Sequence, residues 1–367
     1  MPNSRTSSPI PRVADLVRLI EERAERLGGR PIRFMEVCGT HTMSLFRSGI
    51  RAMLPPGVKL LSGPGCPVCV TPMGLVDAAI EIARRPDVIL ATFGDMIRVP
   101  GRRTSLERAK AEGADVRVLY SPLDSLKLAE ANPSRRVVFF AIGFETTAPT
   151  VAATVAYARD RGLPNLLFLV AHKLIPPAMR AILESGETRV DGFLCPGHVS
   201  VTTGSAVFEP IAERYRAPCV VAGFEPDDIL EGIGMLLLQL VENRPCVEIQ
   251  YTRWVTREGN AKARARMDEV FQVCDAAWRG LGTLPQSGLE LRPELRAFDA
   301  LAELGVQAAA ELENPGCKCG EVIRGLIEPP ECPLFAKVCT SATPVGPCMV
   351  STEGSCAAFY KYGERER

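Results

Sequence analysis

Thirteen cysteines in a chain of 367 residues are unevenly placed. Three lie early in glycine-rich stretches: Cys38 in Glu36-Val-Cys-Gly-Thr-His-Thr42, and Cys66 and Cys69 in Gly63-Pro-Gly-Cys-Pro-Val-Cys69. Six more crowd residues 317–356, while Cys195, Cys219, Cys246 and Cys274 stand singly, as ordinary buried side chains do. Cysteine used in this way handles a soft metal, an iron–sulfur cluster or a redox disulfide.

Each group suits a different task. At a helix N-terminus, Cys38 would have its thiolate stabilised by backbone N–H groups and the helix dipole, with His41 placed to add charge or a proton. The alternative is a small buried cysteine beside a capping threonine. Cys66-Pro-Val-Cys69 is a C-x-x-C, the spacing of a redox disulfide or of two arms of a metal site. No second C-x-x-C completes a zinc ribbon. Cys317, Cys332, Cys339 and Cys356 are separated by 14, 6 and 16 residues, with Cys319 and Cys348 between them. Four thiolates suit a [4Fe–4S] cluster or a Cys₄ zinc site, and the lack of C-x₂-C pairs favours the cluster. Pro329, Pro330 and Pro333 impose an irregular chain around Cys332. Disulfides or free thiols are the alternative.

The three histidines, His41, His172 and His198, all follow apolar runs. Histidine is the usual proton shuttle near neutral pH, although His198 could equally cap a helix. Asp95 and Glu145 occupy the same class of position, where a carboxylate orients a histidine, binds a metal or caps a helix.

The elements that must position these residues follow a rhythm. Apolar runs at 32–37, 58–61, 88–93, 116–120, 137–142, 166–171, 192–194 and 219–222 end in glycine-rich loops and lead into amphipathic stretches. Such alternation implies βαβ units and parallel sheets buried on both faces. In open α/β sheets ligands bind beyond the carboxyl ends of strands, where Cys38, the Cys66/Cys69 loop, Asp95, Glu145, His172 and His198 all lie. The rhythm fades after about residue 243, leaving a charged helix over 260–278, a Gly/Pro-punctuated loop over 280–293 and the cysteine-rich tail. The expected fold is therefore α/β: two parallel-sheet, Rossmann-like domains at 12–122 and 123–228, and a mostly helical or irregular C-terminal iron–sulfur domain at 229–367. A helix over 14–27 is expected to pack on the last of these.

Composition excludes some partners. Lys plus Arg and Asp plus Glu number 43 each, so no polyanion and no nucleic acid is expected to bind. The N-terminus has no signal-peptide core, and no run of about 18 apolar residues suggests a membrane span. The best candidate, 229–241, carries Glu231 and reads as a buried helix. A cytoplasmic location, with reduced thiols, is expected.

Taken together the motifs resemble the HypD family of hydrogenase maturation factors, over nearly the whole chain. The resemblance rests on Cys38-Gly-Thr-His-Thr42, Gly63-Pro-Gly-Cys-Pro-Val-Cys69, Gly143-Phe-Glu-Thr-Thr147, Pro196-Gly-His-Val-Ser200 and the tail spacing C-x14-C-x6-C-x16-C. It implies assembly of the Fe(CN)₂CO part of a [NiFe]-hydrogenase site, as a monomer or a heterodimer with the small chaperone HypC, with cyanide supplied by HypE and HypF. It makes Cys38 the iron ligand, Cys66 and Cys69 the redox-active pair of the same cleft, and Cys317, Cys332, Cys339 and Cys356 the [4Fe–4S] ligands. It also implies three domains, two of them α/β. The rival readings are a free-standing iron–sulfur thiol–disulfide oxidoreductase and a structural zinc protein.

Overall fold

The computed structural model describes residues 13–309 and 316–363. All eight apolar runs form strands: β1 (Ile32–Glu36), β2 (Val58–Ser62), β3 (Val88–Thr92), β4 (Val116–Val118), β5 (Arg136–Gly143), β6 (Leu166–His172), β7 (Gly192–Pro196) and β8 (Cys219–Ala222). Three further strands follow: β9 (Val247–Ile249), β10 (Phe271–Trp278) and β11 (Gly282–Leu291). One sheet has the order β2-β1-β7-β8-β9 and a second the order β4-β3-β5-β6. Every pairing within these two is parallel. Helices cover both faces, so Phe139 and Phe140, on opposite faces of β5, are both fully buried.

The chain leaves the first sheet after β2, builds all of the second, and returns at β7. Strand β7 pairs directly with β1, Phe34 opposite Gly192. Strands β3 and β4 fall within the unit expected at 12–122, yet they pair with each other and β3 with β5. Strand pairing thus divides the chain at different places from the boundary read near 122. The boundary read at 228 lies inside the helix Pro226–Val241. The reason is physical: a βα rhythm specifies strands, whereas the choice of neighbour is a contact between residues more than a hundred positions apart. The helix Val13–Glu25 packs along Pro226–Val241, where Arg23 Nη1 donates to the Gly234 carbonyl at 2.7 Å.

The third region is less helical than its charge pattern suggests. The helix expected over 260–278 ends at Val270, and β10 continues into an antiparallel pairing with β11. Burial of Phe271, Ala276 and Trp278 drives the switch. Positive φ at Gly280 (79°) and Gly282 (72°) makes the turn. One contiguous core runs from Cys69 through Phe140 and Phe193 to Trp278 and Cys348, joining the tail to both sheets. Among the described residues no helix is long and apolar enough to cross a membrane.

Candidate functional site

Each parallel sheet has one place where the strand order reverses, the usual position for a ligand cleft. In the first sheet it falls between β1 and β7, and Cys38 follows β1 there. In the second it falls between β3 and β5, which are followed by Asp95 and Glu145. The tail segment Ser351–Glu353 bridges these two ends. Asp95 Oδ2 accepts from Ser351 Oγ at 3.3 Å, from the Thr352 N–H at 3.0 Å and from Thr352 Oγ1 at 3.2 Å. Thr40 Oγ1 donates to Glu353 Oε1 at 2.8 Å.

Cys38 caps the helix Gly39–Arg47 in extended conformation, φ −149° and ψ 122°. Its own N–H donates to Glu36 Oε2 at 3.2 Å, and Thr42 Oγ1 donates to Glu36 Oε1 at 2.5 Å. The buried Glu36 carboxyl therefore holds the loop from both sides. The cysteine loops lie against each other: the Gly39 N–H donates to the Gly65 carbonyl at 3.0 Å. The N–H groups of His41 and Thr40 favour the Cys38 thiolate, as the helix-terminus reading expects. Burial outweighs them and, with the Glu353 charge, pushes the thiol up to about 12. Cys38 is thus a protonated thiol at neutral pH.

Cys66 caps the short helix Pro67–Val70, its sulfur accepting the Cys69 N–H at 3.2 Å. Its thiol donates to Ser351 Oγ at 3.3 Å. From Cys69 a line of sulfur contacts continues into the tail. Cys69 meets Cys348, and Cys348 meets both Cys319 and Cys356. Cys319 lies 3.1 Å from Cys317. Burial, reinforced by Cys348 and Cys66, raises the Cys69 thiol. Contact with Cys319 lowers Cys348, but Cys356 and burial carry it to about 11. The four spaced tail cysteines, Cys317, Cys332, Cys339 and Cys356, line one small pocket together with Cys319 and Gly346. All thirteen cysteines are free thiols in this structure.

The histidines stand apart from these sulfurs. His41 lies 2.8 Å through Nε2 from the Gly223 carbonyl. A carbonyl only accepts, so Nε2 carries the proton. The buried Nδ1 has no partner. Burial lowers this imidazole to about 4, so at neutral pH His41 is neutral and supplies no charge to Cys38. His198 is exposed and stacks on Phe224, ring centroids 3.9 Å apart; His41 packs near the same ring at 4.8 Å. His172 is buried at the end of β6, with neither nitrogen hydrogen-bonded, and burial lowers it to about 3. Glu145 accepts the Ile175 N–H at 3.0 Å, anchoring the start of the helix Ile175–Ser185. Burial raises that carboxyl to about 7.

The structure therefore gathers Cys38, Cys66, Cys69 and Asp95, and places His41, His198 and Glu145 on surrounding scaffolding. Sequence reasoning did not single out Glu36, Ser351 or Glu353. Glu36 carried one signal, a charge closing an apolar strand; the other two carried only their place between tail cysteines.

The HypD family model, described as "Hydrogenase formation hypA family", matches residues 12–363. The chain belongs to the HypD family. It is 50% identical over 351 residues to the hydrogenase expression/formation protein HupD of Azotobacter chroococcum, covering 94% of this chain and 93% of that relative. It is 46% identical over 358 residues to the hydrogenase maturation factor HypD of Escherichia coli K12, covering 96% of each. The HypD of Azotobacter vinelandii is 50% identical over 345 residues, covering 92% of this chain and 91% of that one. These three alignments cover 91–96% of the relatives' own lengths.

Proposed function

We propose that this chain matures a [NiFe] hydrogenase by assembling and carrying the Fe(CN)₂CO unit, with Cys38 as the principal protein ligand to that iron. The carrying observation is the position of Cys38: at the order reversal of its sheet, with the Cys66/Cys69 loop hydrogen-bonded to its own. The Fe(CN)₂CO unit is cargo. Cyanide and CO are strong-field ligands, and a soft thiolate suits the low-spin ferrous iron that carries them. Among the described residues no three His, Cys, Asp or Glu side chains close on one ion position. An iron held at Cys38 therefore takes further ligands from its own cyanide and CO and from a partner, which is the role proposed for HypC. HypE, charged by HypF, is the proposed cyanide donor, and the cytoplasm the proposed place of work.

Cys66 and Cys69 are the proposed redox pair. Their dithiol and disulfide forms differ by two electrons and two protons, and the disulfide form would lack both thiols of the loop that touches Cys38. Ser351 holds that loop to the tail, its Oγ accepting a hydrogen bond from the Cys66 thiol and donating one to Asp95.

The tail donor set fits a [4Fe–4S] cluster. Four cysteines from separate turns line one pocket. A Cβ on Gly346 would stand 2.6 Å from the Cys317 sulfur, so only glycine leaves that space open. Each thiolate of such a cluster binds a different iron, so the sulfurs need not meet at one point. Cys317, Cys332, Cys339 and Cys356 would hold it, and when bound it supplies single electrons beside Cys319 and Cys348.

Replacing Cys38 by Ala tests the carrier role. The infrared bands of bound cyanide and CO in the HypC complex should vanish; their persistence at full strength would reject Cys38 as ligand. The line of sulfur contacts from Cys66 to Cys317 also supports the oxidoreductase reading. That reading requires turnover of a generic disulfide without a partner, whereas a carrier shows little turnover alone.

A further inference from the structure

Arg279 is a buried cation left only partly satisfied. It directly follows β10, with 4% of its surface exposed. Its backbone N–H donates to the Val70 carbonyl at 2.9 Å and its Nε to the Thr71 carbonyl at 3.1 Å. It therefore holds the C-terminal end of the Cys66/Cys69 helix. The next residue, Gly280, approaches the helix Cys319–Ile323 so closely that a Cβ there would stand 2.5 Å from Gly320 Cα. Arg279 thus sits where the two cysteine-bearing elements meet.

The guanidinium Nη2 is buried without an acceptor, and no ion pair to Arg279 is found among the described residues. Arginine keeps its charge in proteins. A buried charge without a counter-charge is strongly unfavourable, and such charges are normally paired. Among the described residues, the two elements it joins each carry a sulfur there: Cys69 directly precedes Val70, and Cys319 directly precedes Gly320.

We propose that Arg279 is the internal counter-cation of the buried sulfur network between the Cys66/Cys69 helix and the tail pocket, and that it sets the potential at which this network accepts electrons. The proposal rests on the reading of the tail cysteines as cluster ligands. Adding an electron to a thiolate-bound cluster increases its negative charge. A fixed positive charge in a low-dielectric surround stabilises that reduced state and raises its potential. Arg279 acts through the sulfurs and their surroundings, so it is a positioning residue with an electrostatic task.

The test compares native protein with Arg279→Gln and Arg279→Lys, purified anaerobically as full chains. Iron and acid-labile sulfide are measured first, then the midpoint potential by redox titration followed by electron paramagnetic resonance. Arg279→Gln should retain its iron and lower the reduced-to-oxidised ratio at fixed potential about tenfold, 59 mV for a one-electron couple. Arg279→Lys, which keeps the charge, should stay within about threefold of native. A Gln variant within about threefold of native overturns the proposal. So does a Lys variant shifted as far as Gln, since a merely structural arginine would give that result. If Arg279→Gln does not fold, Arg279→Lys decides alone: retention of the native potential supports the counter-cation, and a tenfold shift rejects it. Native protein without iron and labile sulfide removes the cluster reading itself, a result separate from an iron-loaded protein with an unmoved potential.

Discussion

A Cβ on Gly65 would stand 2.1 Å from the Cys38 amide nitrogen. The two cysteine loops approach as closely as backbone permits, and glycine at 65 is the condition for it. Any side chain must push the Cys66/Cys69 loop away from β1. Gly65→Ala should therefore destabilise the fold by about 1–3 kcal/mol, the usual range for overpacking. Urea unfolding measures it, and unchanged stability would show that the loops can separate freely. If Cys38 is the iron ligand proposed above, the same variant should weaken the cyanide and CO bands, because its loop moves with its neighbour.

Asp95 ties the second sheet to the tail through three hydrogen bonds on one oxygen. Asp95→Ala leaves the donors of Ser351 and Thr352 without their acceptor. A loss of about 1–3 kcal/mol is expected, together with faster amide exchange over 351–353. Exchange rates like those of the native protein would mean that the tail is held by its packing alone.

Four buried groups give the stability a plateau with two falling limbs. Burial raises Glu36 to about 8 and Glu145 to about 7 from 4.5. It lowers His41 to about 4 and His172 to about 3 from 6.5. Between 4.5 and 6.5 the unfolded chain carries two protons on the histidines and the folded chain two on the carboxyls, so these groups cancel. Above 6.5 the unfolded chain binds fewer protons than the folded one, and stability falls as pH rises until Glu145 and Glu36 ionise. Below 4.5 the unfolded chain binds more, and stability falls as pH drops until the histidines take up protons. Glu145→Gln should reduce the alkaline slope by up to about 1.4 kcal/mol per pH unit, and His172→Phe the acid slope by as much. Urea midpoints across this range check both, and slopes equal to native would show that these groups titrate alike in both states.

The proposed cluster divides the tail cysteines into ligands and neighbours. Cys332→Ala should abolish the visible absorption and the iron content of the anaerobic protein, because it removes one of the four thiolates proposed to hold the cluster. Cys348→Ser should retain both, since Cys348 meets Cys69, Cys319 and Cys356 but does not line the pocket. Loss of iron with Cys348 and its retention without Cys332 would reverse the ligand choice.

The amino-acid sequence by itself determined the eight buried strands, the α/β class, and the placing of Cys38, Cys66, Asp95 and Glu145 after strands. Those features are local: an apolar run, a glycine-rich turn and a following helix lie within a few residues of one another. Tertiary structure alone decided that β7 inserts beside β1, so that the first sheet is built from two distant stretches. It also decided that the helix begun at Ala261 gives way to a hairpin, because burial of Phe271 and Trp278 overrides the charge pattern. The site divides in the same way. The C-x-x-C and the tail spacing were legible as candidate ligands. The line from Cys66 through Cys69 and Cys348 to Cys317, the Ser351 bridge to Asp95 and the partly unpaired guanidinium of Arg279 were not. Each joins residues far apart in the chain, and only packing fixes such contacts. Burial reversed one local inference: the helix terminus at Cys38 favours a thiolate, yet desolvation keeps the thiol protonated.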